Sequence, residues 1–340
     1  MRWRQLQIIE GEDAAPPLIG PGAVRRTFDT PEFAGLTFYE IQARSIVNKV
    51  SKASRVPFGY TINPYRGCSH ACKYCFARKT HEYLDLDSGA DFDSKVIVKV
   101  NASQLLRKEL AAPRWSGDSI AMGTNVDPYQ RAEGRYRLMP GIIEALRDAA
   151  NPFSILTKGT MVLRDVELLS QAAQVARVGA AVSVGFVDAD MWRAVEPGTP
   201  RPSARLDACA RLNAAGVECG VLIAPILPYL TDSHAQLRAT VAACAEAGAV
   251  SVTPIPLHLR PGAREWYLAW LREYAPELMP RYRDLYARGS YAAKSYQRRV
   301  VAEVKELAAE HRIGEGRPHR PPPPPPRPRG AEPLEQPTLF

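Results

Sequence analysis

From Tyr60 onward the chain alternates short β-prone apolar runs with longer segments of helical period. The runs are Tyr60–Tyr65, Ser119–Thr124, Phe153–Thr157, Ala181–Val187, Val217–Ala224 and Val250–Pro256. Between the later ones, Leu138–Ala150, Val162–Val178, Ser203–Ala215 and Ser233–Ala247 carry apolar residues at three- and four-residue spacing. That spacing predicts helices with one face against a sheet. Ser203 is the predicted cap of its helix, and Gly216 the predicted stop. Six strands separated by helices imply a parallel sheet with right-handed crossovers. A doubly wound open sheet reads the same way. Polar residues cluster just after successive strands, at Cys68, Thr124 to Asp127, Lys158, Asp188 and His258. That placement is the active face of a (β/α) barrel, so the expected fold is α/β, a partial (β/α)6 TIM-like barrel.

The flanks read differently. Residues 1–58 form an extension punctuated by Gly11, Pro16, Pro17, Pro21 and Pro31, and the barrel is expected over 59–260. Residues 261–311 turn helical and aromatic: Trp266, Tyr267, Trp270 and Leu271 share a stripe, followed by Tyr282, Leu285 and Tyr286. The last helix is expected to end near His311. Residues 312–340 hold ten prolines, Pro321 to Pro326 in succession, and predict a disordered Pro-rich tail.

Composition, at 46% hydrophobic and 24% charged, is that of a globular protein. No apolar run approaches the ~18 residues of a membrane helix. Gly220 to Leu230 is broken by Pro225 and Pro228, and Glu10, Glu12 and Asp13 precede any signal-peptide core. A cytoplasmic protein with no membrane partner is expected. Of the net charge of +8, Arg260 to Arg299 supplies much, with nine basic and four acidic residues. Interleaved Trp266, Tyr267, Trp270, Tyr274, Tyr282, Tyr286, Tyr291 and Tyr296 make this segment a candidate nucleic-acid surface, cations for phosphates and rings for bases. The competing reading packs the rings on the core and leaves the arginines to solvent.

Six cysteines in a reducing compartment are no disulfide framework. Three fall in Gly67-Cys68-Ser69-His70-Ala71-Cys72-Lys73-Tyr74-Cys75-Phe76, a C-x3-C-x2-C spacing after the first strand. A cubane cluster normally takes four thiolates, so three leave one iron open to chelation by the amino and carboxylate groups of S-adenosylmethionine (SAM). Alternatives stay open at this point. Cys68, Cys72 and Cys75 with His70 or His81 would make a Cys3His zinc site, and Cys72-x-x-Cys75 a redox pair. Cys209, Cys219 and Cys244 show no ligand-like spacing and read as small buried hydrophobes.

The cysteine string with Tyr74 and Phe76 resembles the radical SAM superfamily. Asn63-Pro64-Tyr65-Arg66-Gly67-Cys68 and Gly123-Thr124-Asn125-Val126-Asp127-Pro128-Tyr129-Gln130 resemble the branch related to spore photoproduct lyase. Leu156-Thr157-Lys158, Glu196-Pro197 with Arg205, and Ala224-Pro225-Ile226-Leu227-Pro228 extend the likeness over about residues 40 to 300. The resemblance implies a barrel open to a large substrate, a [4Fe–4S] cluster on Cys68, Cys72 and Cys75, and SAM cleaved to a 5′-deoxyadenosyl radical. It also implies a reductant such as ferredoxin or flavodoxin. Expected cofactor contacts are Tyr74, Phe76, Thr124, Asn125 and Asp127 (the last three toward the amino group), Lys158 toward the carboxylate, Ser183 toward the ribose, and Glu196 with Arg205. An Asx turn at Asp127 and a purely structural Glu196–Arg205 pair are the plain alternatives. His258 and Arg260 stand at the rim, where Arg260 could meet a phosphate.

Spore photoproduct lyase uses a cysteine after the second strand as hydrogen-atom donor. Here the stretch is Ile120-Ala121-Met122-Gly123-Thr124-Asn125, which points away from thymine-dimer repair. Tyr129 or Tyr136 is the candidate relay in its place. The expected substrate is nucleic acid, in repair or modification. A peptide or small-molecule modifier, or a non-catalytic zinc protein that binds nucleic acid, is the alternative. At the end of the chain, Gln336, Leu339 and Phe340 resemble the peptide by which repair and replication proteins dock on the sliding clamp.

Overall fold

A computed structural model describes residues 8–9, 19, 22–51, 54 and 56–315. In chain order the strands are β1 (Ile8–Ile9), β2 (Val24–Phe28), β3 (Thr37–Ile41), β4 (Val47–Lys49), β5 (Tyr60–Ile62) and β6 (Tyr65–Arg66). Then come β7 (Lys95–Lys99), β8 (Ile120–Met122), β9 (Phe153–Thr157), β10 (Val178–Ser183), β11 (Cys219–Ile226) and β12 (Val252–Pro256). The larger sheet runs β12-β11-β10-β9-β8-β5-β4. Its ladders from β5 to β12 are all parallel, and β4 closes one edge antiparallel to β5. Among the described residues no ladder joins β12 to β4, so the six parallel strands form an open, partial (β/α)6 barrel.

Helices return the chain between parallel neighbours, as the periodicity requires. Helix Leu138–Asp148 buries Met139, Ile142, Ile143 and Leu146, and the sheet meets the helical layer with Ile155, Val182, Val221 and Ile223. Helix His234–Glu246 starts at a capping box formed by Ser233 and Gln236. Helix Pro202–Ala214 starts one residue earlier than expected, with Pro202 in its first turn, so Ser203 is not the cap. Gly216, at φ +80, stops it as predicted.

Three readings of the chain change. The run Tyr60–Tyr65 splits at Asn63-Pro64, because a proline nitrogen gives the ladder no donor. Its second part, β6, leaves the barrel for a separate sheet of order β1-β2-β3-β7-β6. That sheet draws three strands from the N-terminal extension, where only loops were anticipated. The fourth barrel strand lies earlier than Ala181–Val187, at Val178–Ser183. Phe28, Phe38 and Val96 of the small sheet share one buried cluster with Cys68 and with Phe92 of helix Ala90–Ser94.

The aromatic stripe after Pro261 is core. Tyr267, Tyr282, Tyr286 and Tyr296 are buried. The Tyr282 hydroxyl donates to the Pro228 carbonyl, Tyr286 to Leu257 and Tyr296 to Asp232. Helix Lys294–Glu310 lays Val300, Val304 and Leu307 toward β12 and helix His234–Glu246. These four rings thus bind the helical extension to the barrel, which is the competing reading of the stripe. Of the eight, Tyr274 and Tyr291 remain largely exposed. No helix among the described residues is long and apolar enough to cross a membrane. Gln336, Leu339 and Phe340 lie outside the described residues.

The two sheets are tied through Glu133, whose side chain is fully buried. Its carboxylate accepts from the Tyr65 hydroxyl at 2.5 Å, from Arg164 at 2.5 Å, and from the Leu138 and Met139 amides that open a helix. Replacing Glu133 by Ala leaves the buried Tyr65 phenol and two helix-opening amides without their acceptor, while Arg164 keeps Asp165. The expected cost is about 1–3 kcal/mol, read as a lower thermal midpoint. A midpoint equal to that of the parent chain refutes the tie.

Candidate active site

The segment from Gly67 to Phe76 has almost no ladder of its own, so its backbone groups are satisfied from outside. The Cys68 amide donates to the Phe92 carbonyl at 2.9 Å. Gln130 grips the segment twice: its Oε1 accepts from the Ser69 amide at 3.0 Å, and its Nε2 donates to the Gly67 carbonyl at 2.8 Å. The Lys73 amide donates to Val195, 2.9 Å, and the Gly198 amide to His70, 3.1 Å. Arg78 donates to the Cys72 carbonyl at 3.0 Å. Gly67 sits at φ +85, where a Cβ would fall 2.6 Å from the Lys95 carbonyl oxygen.

These grips bring the three thiols into one buried neighbourhood in which each feels the other two. Burial pushes all three toward the neutral thiol. Cys68 rises well above its ordinary value, Cys72 to about 12, and Cys75 rises less as the Ala77 amide and Arg78 partly offset the burial. Thiols so disfavoured as free anions need a cationic partner to ionise, which is what iron supplies. The donor set fits a cluster that uses three protein thiolates. The two histidines that would complete a zinc site are engaged elsewhere. His70 turns to Asp127, its Nδ1 3.4 Å from the carboxylate, and burial lowers its pKa to about 4. His81 holds the Lys95 carbonyl at 2.8 Å.

Around the thiols the expected cofactor residues divide. Lys158 places its ammonium 5.6 Å from the centre of the Tyr74 ring, beside Cys72 and Cys75. Thr124 and Asn125 are half-buried, and their side chains make no hydrogen bond among the described residues. Those three are free to meet a ligand. Tyr74 donates its hydroxyl to Glu196, which also pairs with Arg205; Arg205 in turn holds the Ser183 carbonyl at 2.9 Å. Burial opposes charge on Glu196, but Arg205 and Lys158 outweigh it and hold the carboxyl below its usual range. The Ser183 hydroxyl donates to the Ala224 carbonyl, 2.8 Å away. Phe76 is exposed, with the Arg260 guanidinium 5.3 Å from its ring centre.

Asp127 is the first correction. Its carboxylate accepts from the Tyr129 amide, the Thr157 hydroxyl and the Lys158 amide at 2.9, 2.6 and 2.6 Å. It is an Asx turn that also staples the end of β9, and little of it is left for an ammonium group. The relay tyrosines are the second. Tyr129 is wholly buried and donates to Asp165, 3.1 Å, while Tyr136 packs on Phe28 and Phe38 and donates to Glu40, 3.1 Å. Burial and the neighbouring carboxylate raise both phenols, so each is a neutral structural donor.

The family model of the Radical SAM superfamily matches residues 62–240, which include the whole cysteine segment and β8 to β11. The chain belongs to the radical SAM superfamily. Its enzymes use a [4Fe–4S] cluster and SAM, which removes the zinc and plain redox-pair readings. This radical SAM enzyme is 49% identical over 326 residues to an uncharacterized protein of Mycobacterium tuberculosis, covering 94% of this chain and 96% of that one. An uncharacterized protein of Methanocaldococcus jannaschii is 31% identical over 173 residues, 51% of this chain and 62% of its own. Among solved structures, spore photoproduct lyase complexed with dinucleoside spore photoproduct superposes with a TM-score of 0.60 at 16% identity, covering 82% and 80% of the two chains. That likeness is one of fold.

Sequence reasoning missed Gln130, Val195, Gly198 and Arg78, whose work is done through backbone groups far away in the chain. The only available signal was their place inside or beside the quoted strings. It also missed that Cys209, Cys219 and Cys244 meet in the core, where burial and mutual contact raise the Cys219 and Cys244 thiols. The more voluminous surface groove, about 570 Å³ and lined by Trp192, Arg201, Leu206 and Glu246, lies on the outer helices; the thiols, not the groove, locate the site.

Gly123 gives a steric test of this face. Its φ is +80, and a Cβ would come 1.7 Å from the Leu156 carbonyl oxygen, whereas Gly216 has the same φ and open space. Gly216→Ala is expected to cost about 1–2 kcal/mol of backbone strain. Gly123→Ala must cost more, because β8 and β9 separate beside Asp127. Equal thermal midpoints for the two variants contradict the close approach.

Proposed function

We propose that Cys68, Cys72 and Cys75 hold the [4Fe–4S] cluster of a radical SAM enzyme that acts on nucleic acid. The observation that carries the ligand assignment is the shared neighbourhood of two buried thiols and a half-buried third, with the Lys158 ammonium beside them. With SAM bound, the cluster supplies reductive cleavage of the sulfonium C–S bond and so a 5′-deoxyadenosyl radical for hydrogen abstraction. The protein's part is to bind and orient. Lys158 pairs with the SAM carboxylate, Thr124 and Asn125 accept hydrogen bonds from its amino group, and Ser183 borders the ribose. The Tyr74–Glu196–Arg205 chain keeps the loop in place. A one-electron reductant of the ferredoxin or flavodoxin class completes the system.

The nucleic-acid reading is supported by the rim and by the net charge. Beyond β12, Arg260 is exposed and has only the Phe76 ring as partner among the described residues. Beside it the His258 ring packs 4.5 Å from exposed Tyr291. A guanidinium with unused donors against one exposed ring, on a rim that also carries exposed Tyr291, suits a phosphate flanked by bases. The fold shared with spore photoproduct lyase points the same way. The stretch after β8 lacks the hydrogen-donating cysteine, so the reaction is other than thymine-dimer reversal.

Anaerobic reconstitution should give a brown protein with about four irons and four sulfides per chain. Dithionite and SAM should then yield 5′-deoxyadenosine. Cys72→Ala is expected to lose both the cluster and SAM cleavage, while Cys244→Ala keeps both; the reverse result overturns the ligand assignment. For the substrate, single-stranded oligonucleotide binding followed by fluorescence anisotropy should weaken in Arg260→Ala, with the salt slope reduced by about one. No binding by the parent chain at low salt moves the substrate to a peptide or small molecule.

A further inference from the structure

Arg78 is wholly buried, three residues beyond Cys75. Burying a guanidinium is costly unless its donors are used and its charge is paired. Here Nη1 donates to the Gly89 carbonyl at 2.8 Å, and Nη2 donates to the Cys72 carbonyl at 3.0 Å and to the Asp93 carboxylate at 2.8 Å. The guanidinium carbon lies 4.6 Å from the Trp266 ring centre and 5.3 Å from that of Phe92. Trp266 belongs to helix Ala263–Tyr274, far along the chain. It sits so close over Gly89 that a Cβ there would come within 2.6 Å of the indole. Lysine, a point charge on a flexible stem, cannot make this planar set of contacts.

The Cys72–Lys73 peptide is therefore clamped at both ends. Its carbonyl takes the Arg78 hydrogen bond, and its N–H is given to the Val195 carbonyl at 2.9 Å. This peptide lies inside the Cys72-x-x-Cys75 turn, so its orientation sets where the two thiols stand. The pair is also polar in a definite sense. The guanidinium touches the cysteine turn directly through the Cys72 carbonyl, while Asp93, bonded to the same Nη2, makes no hydrogen bond to that turn among the described residues, so the cation is the nearer charge. In a site shielded from water such a charge acts strongly on a neighbour that gains an electron.

We propose that Arg78 is a positioning residue of the cluster, which fixes the Cys72–Lys73 peptide and, with Asp93 behind it, raises the potential at which the cluster accepts its electron. The proposal rests on the assignment of Cys68, Cys72 and Cys75 as ligands. It also makes the helical extension part of the site, since Trp266 covers the guanidinium.

The test is an anaerobic redox titration of the reconstituted full-length protein, followed by the electron paramagnetic resonance signal of the reduced cluster. Arg78→Gln removes the cation and should move the midpoint to a more negative value. Asp93→Asn removes the opposing anion and should move it to a more positive value. Arg78→Lys should recover part of the Arg78→Gln shift. Shifts of opposite sign cannot come from mere loosening of the loop. Unchanged midpoints, or shifts of one sign in both neutral variants, overturn the proposal. If Arg78→Gln yields no folded protein, the sign given by Asp93→Asn decides alone. Parent protein that takes up no iron instead refutes the ligand assignment; a normal parent cluster with insensitive variants refutes only the role of Arg78.

Discussion

Ten residues carrying three cysteines must keep a fixed shape without a helix or sheet ladder to impose it, and the rest of the molecule answers to that requirement. The backbone groups of such a segment have to be paired, since an unpaired buried amide or carbonyl costs on the order of 1–3 kcal/mol. Their partners come from four separate places: Phe92 beneath the small sheet, Gln130 after β8, Val195 with Gly198 after β10, and Arg78 just past the turn. Each bond is worth only about 1 kcal/mol net, so no single one fixes the loop. The two sheets fix it together, because Gln130 and Val195 follow barrel strands while Phe92 leads into β7 of the small sheet.

Charge follows the same logic. Two buried arginine–carboxylate pairs flank the cysteines, Arg205 with Glu196 and Arg78 with Asp93. Each arginine also donates to main-chain carbonyls, Arg205 to Pro200 and Ser183 and Arg78 to Gly89 and Cys72. A buried pair contributes little net stability, but its geometry is demanding, and removing one member strands the other. The pairs are better understood as rigid brackets that happen to carry charge than as a source of folding free energy. Burial that keeps the free thiols neutral adds a further consequence, since ionising them is coupled to the arrival of iron.

What was legible in the chain depended on range. The six barrel strands and their helices announced themselves because one face of each is apolar at a fixed period, and that signal is local. The cysteine spacing was legible for the same reason. The small sheet was not, since β6 has two residues and β2 reads Val-Arg-Arg-Thr-Phe, with charges on a face that no period could assign. Asp127 looked equally good as a ligand and as a turn; only the positions of Thr157 and Lys158, thirty residues on, distinguish them. The tyrosines of the C-terminal extension left two readings open in the same way. A phenol stacks on a base or packs on a core with the same ring, and the carbonyls of Pro228 and Leu257 that claim Tyr282 and Tyr286 cannot be read from spacing.

The C-terminal extension reaches the cysteine segment through Trp266, whose ring centre lies 4.6 Å from the Arg78 guanidinium and 5.6 Å from the Lys73 ammonium. At the rim Tyr291 pairs with His258 in an isolated bridge, and Arg260, at the end of the barrel, covers Phe76, the residue next to Cys75. The neighbour of Cys75 is therefore tied to the end of the barrel as well as to the loop. Among the described residues no ladder joins β12 to β4, and the last helix packs on β12 at that side of the sheet. The extension bears on the shape of the cysteine loop through Trp266, and it is held in that place by buried phenols that donate to the Pro228 and Leu257 carbonyls of the barrel.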